Sequence, residues 1–189
     1  MIKIGILGDI GSGKSYVAQS FGYQVFNADY EVAQLYKKNK NVFNKLKKSL
    51  PKYISLFPVE KIEICNAILA NENNLKKIIK IVHFEIRKKI NKFLKKNKYK
   101  KIVILDIPLL LENKINKKND ILVYVQSNKI EILARLKKRK NFNAKLLKKF
   151  KIVQLPISHK KKKSHFIIKN DFTKKSVKRG IKNILREIK

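Results

Sequence analysis

Apolar residues gather along the chain in five short runs: Ile2–Leu7, Gln24–Ala28, Ile102–Ile107, Ile121–Val125 and Phe166–Ile168. Each is rich in Val and Ile and nearly continuous rather than alternating, the pattern of strands buried on both faces. Between the runs, apolar positions fall at helical spacing, as in Leu75, Ile78, Ile79 and Val82, then Ile86, Ile90, Phe93 and Leu94. Strand, helix and strand in repetition predict an α/β fold of three layers, a five-stranded parallel sheet with helices on both sides. Sites in such sheets lie at the carboxyl ends of the strands. The scarce aspartates fall there, with Asp9 after the first strand, Asp29 after the second and Asp106 closing the third.

Two insertions interrupt the repeat. Residues 30–99 are mostly helical, and residues 129–158 carry Arg135 and Arg139. The predicted organisation is one domain, with a core of 1–29, 100–128 and 159–189 and two inserted segments. Lys160–Lys163 is a short basic run expected to be a solvated loop.

A length of 189 residues with 44% hydrophobic composition suits one folded domain with a real core. The lone Cys65 excludes an internal disulfide and suits a reducing compartment. No apolar run reaches the ~20 residues that span a bilayer, and the first strand, broken by Lys3 and ended by Asp9, does not read as a signal peptide. A cytoplasmic monomer without a membrane partner is expected. The formal net charge of +34 comes from 47 basic against 13 acidic residues, and only five of the basic ones are Arg. The charge runs the whole length instead of forming a stripe, so it reads as solvated lysine and not as a specific nucleic-acid surface. A positive field would still draw in a phosphate-bearing substrate.

The first strand leads into Gly8-Asp9-Ile10-Gly11-Ser12-Gly13-Lys14-Ser15, the G-x-x-x-x-G-K-S spacing of a phosphate-binding loop. Four of the six glycines lie within the first thirteen residues. Glycine there lets successive N–H groups point into one concavity, and the following helix adds the positive end of its dipole. Lys14 would reach the outer phosphates of a bound ligand and the Ser15 hydroxyl would ligate Mg²⁺.

Asp29 can be a base that accepts a hydroxyl proton during phosphoryl transfer, or the N-cap of the next helix. Asp106 can hold the Mg²⁺ shell or be a plain turn residue. Arg is a non-default choice in a chain this rich in Lys, and its planar fork grips phosphate bidentately. Arg135 and Arg139, four apart, are expected on one helix face, either over the nucleotide or in solvent. His83 and Arg87 share that spacing and can grip an anion or lie beside each other without function.

These motifs resemble the dephospho-CoA kinase family. The family's D-A-D-x-I-A-R is matched by Asn27 to Gln34, its H-P-x-I-R by His83-Phe84-Glu85-Ile86-Arg87, and its D-x-P-L-L-[FL]-E by Asp106 to Glu112. R-L-x-x-R appears as Arg135 to Arg139, R-I-x-x-Q as Lys151 to Gln154, and the late A-D-y-V-I-x-N as Ser164 to Asn170. Asn27, Gln34, Phe84 and Lys151 depart from the pattern. The resemblance implies a P-loop kinase that phosphorylates the ribose 3′-hydroxyl of dephospho-CoA. It implies a base at Asp29, with Lys14 and Arg139 assisting. It implies an ATP site of Gly8, Gly11, Ser12, Gly13, Lys14, Ser15, Tyr16, Arg135, Arg139 and Asn170. Mg²⁺ would sit at Ser15 and Asp106. Asp29, His83, Arg87, Pro108, Leu109, Leu110 and Glu112 would bind the acceptor, in a helical insertion (30–99) covered by a lid (129–158). The alternatives are another small-molecule kinase acting on a nucleotide, or a basic nucleic-acid-binding module; the kept Lys14, Asp29 and Asp106 speak against the latter.

Overall fold

The computed structural model describes residues 1–188. All five expected strands form: β1 (Ile2–Gly8), β2 (Gln24–Asn27), β3 (Ile102–Asp106), β4 (Ile121–Gln126) and β5 (Phe166–Lys169). They make one parallel sheet in the order β2-β3-β1-β4-β5. The central β1, flanked by β3 and β4, is buried from Ile4 to Gly8, which explains its lack of polar alternation. The sequence reading extends β2 one residue too far, since Ala28 already opens a helix.

The chain divides into two compact units. The first comprises residues 1–27, 96–142 and 154–189, and the second residues 28–95 and 143–153. In the first, α1 (Lys14–Ser20) and α9 (Lys174–Glu187) cover one face of the sheet. Val17, Ala18 and Phe21 meet Ile4, Ile6, Ile104, Val123 and Ile168, with Val177, Ile181 and Ile184 of α9 completing the core. The opposite face carries Gly5. A Cβ there would lie 2.5 Å from Leu110 Cδ2 and 3.0 Å from Leu122 Cδ2, so Gly5 is the hollow that admits Leu110. On this face lies α8 (Ile157–Lys163), which packs on β1 and β4 and carries Lys161 over the Tyr124 ring. The expected solvated loop at Lys160–Lys163 is therefore a helical turn, and Lys160 within it is buried. Periodicity cannot be read in a run of four identical residues. The unit also contains α6 (Lys129–Lys137).

The second unit is helical. It holds α2 (Ala28–Lys38), α3 (Lys40–Ser49), α4 (Lys61–Ala70), α5 (Glu72–Lys96) through Lys95, and α7 (Ala144–Ile152). The apolar stripe of α5 is inward as read, with Leu75, Ile78, Val82, Ile86 and Ile90 buried. Buried Asn74 donates to the Ala67 carbonyl and ties α5 to α4. Helix α7 packs on α4, and Lys149 pairs with Glu72 at 2.7 Å. The segment 129–158, read from sequence as one lid, is thus divided, with α6 in the first unit and α7 in the second.

Candidate active site

The phosphate-binding loop leaves the carboxyl end of β1, at the centre of the sheet, where the strand order switches direction. Gly13 opens α1 in the left-handed region, at φ 88°. A Cβ at that position would sit 2.5 Å from the Asn170 amide. Ser12 is fully buried, and its carbonyl accepts from Ser127 Oγ and from Asn170 Nδ2, each at 2.9 Å. Asn170, itself 3% exposed, also accepts from the Phe172 N–H. The ends of β4 and β5 therefore clamp the loop from outside, leaving its concavity to the backbone. Lys14 Nζ folds back onto the Gly8 and Asp9 carbonyls at 3.2 and 2.8 Å. Asp9 turns inward locally and accepts from the Ile10 N–H. The half-exposed Tyr16 follows on α1.

Asp106 ends β3, paired in register with Asn27 of β2, and is 3% exposed. Asn27 Nδ2 donates to its Oδ2 at 2.9 Å. Burial pushes the Asp106 carboxyl above the ordinary aspartate range, while a hydrogen bond from Ser15 and the charge of Lys14 pull it back. A buried carboxylate and a hydroxyl beside a phosphate loop form an all-oxygen donor set. That set fits Mg²⁺, which takes one or two carboxylates and completes its shell with water and phosphate oxygens. Asp106 is thus no turn residue.

Arg135 lies on α6 with its guanidinium 4.3 Å above the Phe172 ring. Arg139 lies beyond the helix, which ends at Lys137 with Lys138 as C-cap; its N–H bonds to the Leu136 carbonyl. The expectation that both arginines share one helix face fails because the helix stops between them. Both are exposed.

The turn after β3 presents Pro108 and Leu109 part-exposed, whereas Leu110 is fully buried over Gly5 and cannot touch a ligand. This corrects its expected place among the acceptor-binding residues. Glu112 Oε1 accepts from the Leu155 N–H at 3.0 Å and lies 2.8 Å from Lys160 Nζ, so that oxygen is engaged inside the protein.

Asp29, His83 and Arg87 belong to the second unit. Asp29 is exposed and sits inside the first turn of α2, so the N-cap reading is overturned: the helix begins one residue earlier, at Ala28. It follows Asn27 by two residues, no more than about 7 Å of chain. His83 and Arg87 share one side of α5. His83 Nε2 is buried without a hydrogen-bond partner. Burial, then the Arg87 charge, lowers its pKa below the ordinary histidine value, which keeps the ring neutral at pH 7 with its polar edge unused. A histidine with satisfied bonds is therefore not what stands there.

Sequence reasoning missed Ser127, Phe172 and Lys160, and it quoted Gln154 only as the end of a motif. Ser127 and Phe172 lie next to strand ends, where partners are set by the sheet register. Asn27, read as a departure, is the residue that holds Asp106.

A parallel sheet of this order with a phosphate loop after its central strand, a buried acid at the neighbouring strand end and a helical insertion defines a P-loop kinase. The sequence profile described as dephospho-CoA kinase matches residues 2–176. The chain is 34% identical over 187 residues to the dephospho-CoA kinase of Wolbachia pipientis wMel, covering 96% of this chain and 95% of that protein. It is 31% identical over 170 residues to that of Bartonella quintana, covering 87% of each. Among solved structures, TT1252 from Thermus thermophilus superposes with a TM-score of 0.79 at 25% identity, covering 100% and 98% of the two chains. The dephospho-CoA kinase from Campylobacter jejuni shares the fold, with a TM-score of 0.62 at 21% identity and coverage of 98% and 96%. The chain belongs to the dephospho-CoA kinase family and is an ATP-dependent kinase.

Proposed function

We propose that the protein transfers the γ-phosphoryl group of Mg-ATP to the ribose 3′-hydroxyl of dephospho-CoA, giving CoA and ADP. The observation that carries the reading is the buried Asp106 held by Asn27 and Ser15 beside the phosphate loop, in a chain of this family. The loop N–H groups and the α1 N-terminus receive the phosphates. Lys14 exchanges its bonds to the loop carbonyls for bonds to the outer phosphates. Ser15 and Asp106 would hold Mg²⁺, which when bound neutralises charge on the β- and γ-phosphates. Asp29 orients the 3′-hydroxyl and takes its proton as the new O–P bond forms and the β–γ bridge breaks, leaving the electron pair on ADP. His83 and Arg87 grip the acceptor, and Arg139 offers a bidentate cation to charge spreading over the transferred group. No helix among the described residues is long and apolar enough to cross a membrane.

The test is mass spectrometry of the purified protein's reaction with Mg-ATP and dephospho-CoA. One added phosphate on the acceptor is expected, absent with Lys14→Ala. Asp29→Asn should keep ATP binding and lower kcat by at least ~100-fold; normal turnover in that variant would remove Asp29 from the role of base. ATP hydrolysis with no phosphorylated acceptor would overturn the assignment of substrate.

A further inference from the structure

Two parts of the first unit touch the phosphate loop at its glycines. Helix α6 rests on it at Gly11, where a Cβ would lie 2.9 Å from Leu136 Cγ and 3.0 Å from Ile132 Cγ2. The turn between β5 and α9 reaches it at Gly13, where a Cβ would lie 2.5 Å from Asn170 Nδ2 and 3.6 Å from Phe172 Cε1. The two parts also meet each other: the Arg135 guanidinium of α6 stands 4.3 Å from the centre of the Phe172 ring. Phe172 has a φ of 63°, in the left-handed region. A residue with a Cβ seldom adopts it, and where one does the surrounding structure must enforce it. Here the Phe172 N–H donates to Asn170 Oδ1 at 2.9 Å, and Asn170 is itself buried. The ring is half-buried and Arg135 is exposed. Among the described residues no carboxylate pairs with Arg135. The ring is therefore what orders this cation, through its negative π-face.

We propose that Phe172 is a positioning residue for the nucleotide: its ring holds one face of the Arg135 guanidinium, and the opposite face is presented to the nucleotide base as a stacking plane. A guanidinium stacks on aromatic rings and on nucleobases alike, because both offer a flat π-face to a planar cation. The phosphates belong at the loop N–H groups and the α1 N-terminus. The pair is tied to that same loop at Gly11 and Gly13, by contacts that together span less than the length of a nucleotide. All of these residues lie in the first unit. Phe172 acts only through Arg135 and touches no substrate. A guanidinium already held on a ring loses less freedom when the base arrives, so the pair favours a ligand with a base over bare phosphates. The inference rests on the kinase reading of the phosphate loop and not on the identity of the acceptor.

The experiment is calorimetric titration with Mg-ADP and with Mg-pyrophosphate, which lacks the base. The proteins are the wild type, Phe172→Leu, Phe172→Tyr, Arg135→Ala and the double variant Phe172→Leu/Arg135→Ala. Phe172→Leu should weaken ADP about fivefold and change pyrophosphate by less than about twofold. Phe172→Tyr keeps the ring and should bind ADP as the wild type does. Arg135→Ala should weaken ADP at least as much as Phe172→Leu, and the double variant should be no weaker than Arg135→Ala. Phe172→Gly suits the left-handed backbone and supplies the answer if Phe172→Leu does not fold. Equal losses for the two ligands would make Phe172 a support of the loop and overturn the inference, as would losses that add in the double variant. Wild-type protein that binds neither ligand would instead sink the kinase reading, so the two failures are distinguishable.

Discussion

Asp106 and Asn27 face each other across neighbouring strand ends, and only one of them carries charge. The neutral amide donates to the carboxylate; a second carboxylate there would compete with it for a proton. Because burial raises the Asp106 pKa, the folded protein binds this proton more tightly than the unfolded chain. Its contribution to stability is present below the unfolded aspartate value and is lost as pH rises through the folded one. Above the folded value the ionised group is therefore a cost to the fold. Asp106→Asn should abolish turnover yet melt no lower than the wild type at pH 7 in the absence of nucleotide, as read by calorimetry. A marked drop in the midpoint would mean that the carboxylate is structural. His83 has the opposite sign. Its pKa is lowered, so the unfolded chain takes up the proton first, and stability is lost as pH falls below about 6.5, the unperturbed histidine value. Urea midpoints between pH 5 and 8 should show that acid-side slope reduced in His83→Asn.

At the scale of elements, the strands and the long α5 were legible because burial on both faces or on one stripe leaves a period that sequence retains. The phosphate loop was legible because its chemistry needs fixed residue types at fixed spacing. What supports the loop was not. Ser127 and Asn170 reach the Ser12 carbonyl from 115 and 158 residues away, and no local pattern announces such a pairing. The end of α6 between Arg135 and Arg139 was hidden because Leu136 to Lys140 continues a helix-permissive composition, and the stop is a C-cap at Lys138 with no glycine to mark it. Lys160 was hidden among its identical neighbours. The clamp on the loop is testable. Asn170→Ala removes a donor to Ser12 and an acceptor from Phe172, both buried or nearly so, and should cost about 1–3 kcal/mol. It should also weaken ATP binding, read by calorimetric titration, while leaving acceptor binding unchanged. Equal ATP affinity in wild type and variant would show that Ser127 alone suffices to shape the loop.

At the scale of the whole molecule, a net charge of +34 on 189 residues must be set against a core of ordinary composition. Lys160–Glu112 and Lys3–Asp120 are sheltered ion pairs, whereas Lys88–Glu85, Lys89–Glu31 and Lys149–Glu72 are exposed enough to contribute little. Self-repulsion among lysines favours the expanded chain, and added salt screens it. The same field attracts ATP and dephospho-CoA, which are both anions, and salt screens that attraction as well. One variable should therefore help the fold and hinder the encounter with substrate. Raising NaCl from about 0.05 to 0.5 M shortens the screening length severalfold, and should raise the thermal midpoint while raising KM for both substrates. Most of the KM change should lie in association rates. A midpoint that falls with salt would mean that exposed ion pairs outweigh the repulsion. A KM that does not respond would confine recognition to the buried and loop-bound donors of the site, leaving the lysine surface without part in catalysis.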